Sequence, residues 1–265
     1  VTFVTRDPED FLSRGRDVGV RARAAYASAS DQWSENLIVA GRSGRLSGLL
    51  SYTRRDGHEQ ETQGANDIVG SLRTTANPQD IESNAYMARG VVQLNDQNRL
   101  RLTWDHLDRE VTSDILSGVT ASTLQVQGTD TTDRDRVSAD WFFEGEGGFI
   151  DDARITAYWQ DADVRQFTFE DRNPAADRTR DNTFENRVWG LSAQFDKAIT
   201  LGGVAHHFTW GGDYSMTRQE GLRSGTVPPF GETFPNRSFP NTDYMLAGVF
   251  IQDEITLMGG DLILF

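Results

Sequence analysis

Residues 135–159 read DRVSADWFFEGEGGFIDDARITAYW, and the way this stretch alternates, stops and resumes decides the fold. On its first limb Val137, Ala139, Trp141 and Phe143 alternate with Ser138 and Asp140. On its second limb Ile155, Ala157 and Trp159 alternate with Arg154 and Thr156. A period of two belongs to a strand with one apolar and one polar face. Gly147-Gly148 between the limbs supplies the backbone freedom of a reversal.

The same period recurs in both directions. Val18, Val20, Ala22, Ala24 and Tyr26 alternate with Arg21 and Arg23. Leu100, Leu102 and Trp104 alternate with Arg99, Arg101 and Thr103, and Phe208, Trp210, Gly212, Tyr214 and Met216 with His207, Thr209, Asp213 and Thr217. Strands are predicted at roughly 16–28, 33–42, 46–56, 84–94, 99–110, 135–144, 153–167, 185–197, 204–218 and 243–257, with another beginning near 261.

After the third strand the connections alternate between long (57–83, 111–134, 168–184, 219–242) and short (95–98, 145–152, 198–203, 258–260). In an up-and-down meander every second connection lies at the same end, so the long loops gather at one end and the tight turns at the other. Outer-membrane barrels have this asymmetry; a soluble sandwich or propeller has no reason for it. Ser43-Gly44, Asn95-Asp96, Gly202-Gly203 and Gly259-Gly260 carry suitable turn chemistry. The expected fold class is therefore all-β, an antiparallel meander of about ten to eleven strands forming part of a transmembrane β-barrel. Trp104, Trp141, Trp159 and Trp210 are expected on the convex, lipid side, and Arg21, Arg101, Arg154 and Asp213 on the concave, lumen side. Turn 43–45 is then periplasmic, so the first strand enters from the periplasmic side, where a plug inside the lumen would hand over the chain.

Composition agrees. Only 37% of residues are hydrophobic, yet 10% are aromatic, which suits strands whose lipid-facing residues are every second one. No run of about 18 apolar residues exists to form a transmembrane helix. The absence of cysteine excludes a disulfide scaffold and thiolate metal sites. A net charge of −14 opposes nucleic acid as a partner. The pattern opens mid-stride at Val1 and stops in the apolar run Leu262–Phe265 without a signal peptide, so the expectation is a truncated piece that aggregates alone.

Four histidines are the candidates for an imidazole ligand. His58 sits at the mouth of loop 57–83, beside Arg54 and Arg55, which could pair with carboxylates of a ligand such as the propionates of the cargo that the resemblance below implies; its plainer reading is a solvated loop histidine. His106 reads as a polar strand end, and His206 and His207 adjoin a periplasmic turn on opposite faces. Asp130, Asp133 and Asp135 could hold a divalent cation or form a solvated acidic rim; they lack the spacing of an EF-hand. Glu144-Gly145-Glu146-Gly147-Gly148 has no Lys-Ser/Thr and reads as a turn rather than a phosphate loop. No catalytic constellation is evident, and no enzyme is expected.

Three stretches resemble the TonB-dependent receptors, and within them the haem/haemoglobin class. Val1-Thr2-Phe3-Val4-Thr5-Arg6-Asp7-Pro8 looks like the end of the plug running into the barrel. Ala40-Gly41-Arg42-Ser43-Gly44, with Tyr52–Glu59 and Gly64, is similar to the second and third barrel strands of that class, and Gly248–Glu254 to a strand midway round the barrel. The resemblance implies a barrel of about 22 strands with a plugged lumen. Residues 1–15 would be the end of the plug and its linker, and residues 16–265 the first half of the barrel. It implies an outer-membrane location, lipid contact, coupling to the TonB complex through an N-terminal region, and haem or a haem protein as cargo, with no permanently bound cofactor. A ferric-siderophore receptor is the alternative, and an adhesin or open pore a further one. The FRAP and NPNL motifs of the class, and the haem histidine between them, would lie beyond Phe265; nothing in the sequence matches them.

Overall fold

The computed structural model describes residues 6–145, 147–257 and 262–264. Eleven strands follow one another, each antiparallel to the next: β1 (Val18–Ala27), β2 (Gln32–Ser43), β3 (Leu46–His58), β4 (Gln79–Gln93), β5 (Asn98–Asp114), β6 (Thr123–Glu144), β7 (Asp152–Arg172), β8 (Arg178–Leu201), β9 (Val204–Gly225), β10 (Thr242–Leu257) and β11 (Leu262–Leu264). The sheet order is the chain order, so the all-β antiparallel meander expected from the sequence is the fold observed. The expected plug strand at Val1–Thr5, Glu146, the Gly259-Gly260 turn and Phe265 lie outside the described residues.

Cross-strand register separates two chemical faces. Leu50, Ala88, Trp104, Val137, Trp159, Trp189 and Met216 are successive partners on one face. The large ones are exposed, Leu50 at 64% and Trp189 at 46%, which is costly in water and natural against lipid. Trp141 and Trp210 share this face two and three rows nearer the short turns. On the other face Ser47, Val91, Arg101, Asp140, Thr156, Ser192 and Asp213 are successive partners. Arg21 and Arg154 lie on that polar face as well, so all four tryptophans and all four charged residues sort as expected.

The polar face is covered by the segment before β1. A short 3-10 turn, Pro8–Phe11, lies on it, with Pro8 fully buried. The Asp7 carboxylate stands 3.1 Å from Arg89, 3.2 Å from Arg99 and 3.2 Å from Arg101. Ser47 donates a hydrogen bond to Glu9. Asp140, 3% exposed, accepts from Arg101 Nε at 3.0 Å, Arg154 Nη2 at 3.0 Å and Thr156 Oγ1 at 2.7 Å. Buried charges persist only when paired in this way. A Cβ on Gly19 would collide with the carbonyl oxygen of Phe11, so the close approach of segment and strand requires glycine there.

The strands run further outward than the sequence suggests. The connection expected at 111–134 shrinks to 115–122, that at 168–184 to 173–177, and that at 219–242 to 226–241. The outer connection 173–177 is in fact shorter than the inner turn 145–151. Beyond the membrane both faces of a strand meet water, so the apolar half of the alternation disappears and a strand such as 123–134 reads as a loop. At the other end Gly202 and Gly203, with φ of 59° and 84°, close β8 to β9 in two residues, as a hairpin with both central residues left-handed demands.

Candidate ligand site at the outer mouth

His58 is the last residue of β3 rather than part of a loop, with Nδ1 3.1 Å from Asp80 Oδ1. Alternation along β3 from Leu50 puts Arg54 and His58 on the apolar side and Arg55 on the polar side. Arg54 gives both Nε and Nη2 to Asp56, at 2.7 and 2.6 Å. The cross-strand partners of Arg55 are Ser34 and Ser83. The three residues grouped by sequence proximity thus form no common site. Asp130 likewise faces away from Asp133 and Asp135, and these lie within β6 rather than at a loop edge. His206 pairs with Asp253 at 2.9 Å and His207 with Asp196 at 3.5 Å, on opposite faces.

A different group assembles on the polar face at the outer ends of β7, β8 and β9. The connection 226–241 folds back over this face. Arg223 N donates to Asn236 O at 2.8 Å and Asn236 N to Arg223 O at 2.9 Å, pinning it like a short added strand. Phe239 meets Phe184 edge-on at 6.0 Å and covers Gly221, where a Cβ would stand 2.7 Å from the Phe239 ring. A cleft of about 290 Å³ remains among Val164, Gln166, Asn182, Phe184, Arg223 and Phe239.

Four arginines share that face: Arg172, Arg178, Arg180 and Arg223. Arg178 pairs with Glu170 at 2.5 Å, and Arg223 lies 3.6 Å from Glu232. Arg172 gives its side chain to the carbonyl of Ala176. Arg180 donates to the carbonyls of Thr179, Thr226 and Val227 at 2.8, 2.6 and 3.0 Å, and its guanidinium lies 5.2 Å from the Phe234 ring centre. Among the described residues no carboxylate lies within ion-pair distance of Arg172 or Arg180. Burial, then the neighbouring Arg178, Arg223 and Arg172, lower the Arg180 pKa from its ordinary value. Sequence reasoning missed this group because 168–184 and 219–242 read as loops. The signal available was Arg178-x-Arg180-x-Asn182, a period of two that places all three side chains on one face.

The model of the TonB dependent receptor-like β-barrel matches residues 73–264. The chain belongs to the TonB-dependent receptor family. Among curated relatives, transferrin-binding protein A of Neisseria meningitidis is 36% identical over 59 residues, 22% of this chain and 6% of its own length. Hemoglobin-binding protein A of Haemophilus influenzae is 31% identical over 109 residues, 40% of this chain and 11% of its own. The chain therefore spans about a tenth or less of the length of these relatives. Among solved structures, the ferric yersiniabactin uptake receptor of Yersinia pestis superposes over 91% of this chain and 39% of its own, with a TM-score of 0.56 and 12% identity. The ferric preacinetobactin receptor of Acinetobacter baumannii does so over 94% and 42%, with a TM-score of 0.51 and 13% identity. At such identities the likeness speaks for the fold: a TonB-dependent receptor barrel, with the apolar face toward lipid and the polar face toward the lumen. The family is one of outer-membrane receptors rather than enzymes.

In a TonB-dependent receptor the lumen-facing arginines and phenyl rings therefore stand at the outer mouth. Guanidinium groups bind carboxylates with charge-assisted hydrogen bonds, and phenyl faces accept flat apolar rings or cations.

Proposed function

We propose that this chain is the barrel portion of an outer-membrane receptor that takes up haem, free or from a haem protein, with energy delivered through TonB. Residues 6–15 are then the end of the plug that fills the lumen. The arginine and phenylalanine group at the outer mouth carries this reading. In a chain of net charge −14, four arginines converge on one lumen-facing surface, and two of them, Arg172 and Arg180, donate to backbone carbonyls with no carboxylate in ion-pair reach among the described residues. Haem offers two propionates on a flat apolar ring, which is the chemistry such a surface satisfies. The relatives named for haemoglobin binding point the same way. Of His58, Arg54 and Arg55, Arg55 alone lies on the polar face, which supports a role for it in contacting cargo.

Deleting the gene from its native cell should abolish growth on haem or haemoglobin as sole iron source, with growth restored by inorganic iron. Normal growth on haem together with failure on one ferric siderophore would transfer the same site to the siderophore reading.

A further inference from the structure

The outer ends of the strands carry a second chemical feature, on the lipid-facing side. Asp108, Asp133, Asp163 and Glu185 are direct cross-strand partners on β5 to β8. Like charges directly opposite one another destabilise a sheet. Among the described residues none of the four has a lysine or arginine within ion-pair distance; Asp133 has only His106, at 3.9 Å.

One row nearer the membrane, His106 stands opposite Asp135, in the row of Tyr52 and Tyr86. Its ring is 6.0 Å from that of Tyr86 and 6.1 Å from that of Trp104, so the imidazole is oriented by the aromatic belt. His106 Nδ1 lies 3.3 Å from Asp135 Oδ1, and one ligand atom from each of His106, Asp133 and Asp135 falls within 4.8 Å of the others. Trp104 Nε1 donates to Asp135 Oδ1 at 2.9 Å, holding that carboxylate as outer partners of metal ligands do. The next residue across the sheet, Asp161, keeps a buried carboxylate oxygen without a hydrogen-bond donor, while its other oxygen takes Arg187. The group is thus more than an acidic patch: it joins an imidazole to two carboxylates, with Asp161, already paired with Arg187, outside the trio.

We propose that His106, Asp133 and Asp135 bind a divalent cation of the zinc class on the lipid-facing side of the barrel, at the outer edge of its apolar band. One imidazole with two carboxylates suits zinc, cobalt or manganese better than magnesium, which keeps to oxygen ligands and water. Three protein ligands leave the remaining positions open toward the headgroup layer. The site is independent of the cargo the lumen carries.

The test uses the full-length receptor folded in detergent, stripped with a chelator, and titrated with Zn²⁺ by calorimetry and with Co²⁺ by visible absorption. One saturable site per chain is expected, with Co²⁺ bands of a low-coordinate complex that magnesium in excess does not displace. His106→Ala should remove the site. Trp104→Phe should weaken it about 10-fold, by freeing Asp135. Asp108→Asn, outside the trio, should leave it intact. Heat-modifiable migration on gels verifies that each variant is folded. Binding unchanged in His106→Ala, or only diffuse cation uptake that magnesium displaces, would overturn the proposal.

Discussion

Asp7 Oδ1 and Arg101 Nη1 lie 3.2 Å apart although 94 residues separate them in the chain. This contact, with those to Arg89 and Arg99, ties the segment ahead of β1 to the lumen-facing surface of β4 and β5. Asp7→Asn in the full-length receptor should destabilise this attachment by about 2–3 kcal/mol, below the full cost of breaking a buried pair because Arg101 keeps Asp140. Limited proteolysis should then cut near residues 12–17 faster than in the wild type. Unchanged proteolysis and unchanged melting would show that the contact holds nothing.

The two faces answer differently to charge. Leu102→Arg, in the middle of the lipid-facing band, should cost about 2–4 kcal/mol and lower the folded fraction in vesicles. Ser192→Arg, on the lumen side opposite Asp213, should change stability by less than about 1 kcal/mol. Equal effects at both positions would mean that the faces have been assigned the wrong way round.

His58 and Arg54 point away from the lumen, and each already has an acidic partner. His58→Ala should therefore leave the Soret band of bound haem unchanged, with any affinity loss of about 1 kcal/mol at most. Arg55→Ala should weaken haem capture more than Arg54→Ala does. A shifted Soret band in His58→Ala would make that histidine the iron ligand.

Residues 1–265 produced alone should aggregate. Among the described residues β1 and β11 have no second strand partner, and the apolar face is broad and exposed. Unpaired edges are not tolerated in lipid and recruit other chains in water. Size-exclusion chromatography after refolding should show large species; a monomer that unfolds cooperatively in urea would contradict this.

The membrane-spanning part of the fold was legible because lipid imposes strict alternation: Leu100, Leu102 and Trp104 against Arg99 and Arg101 admit one reading. The outer extensions were not, since Thr129 to Arg134 are polar on both faces and their β-branched residues alone give no period. The site followed the same division. His58, Arg54 and Arg55 drew attention by adjacency, but one residue of offset in a strand exchanges lumen for lipid, and proximity in sequence says nothing of that. The arginines at the mouth became visible only when β7, β8 and β9 brought residues from 172 to 223 onto one surface. His106 joined Asp133 and Asp135 by register alone.

On the proposed function, haem is captured by the lumen-facing arginines at the outer mouth. Its most direct test is a haem titration of the full-length receptor, wild type against Arg180→Ala with Arg223→Ala, followed at the Soret band. Saturable binding by the wild type is expected, with a dissociation constant raised at least about 10-fold in the double variant, as the loss of two charge-assisted hydrogen bonds requires. A folded double variant that binds haem as tightly as the wild type, or a wild type that binds none, would contradict it.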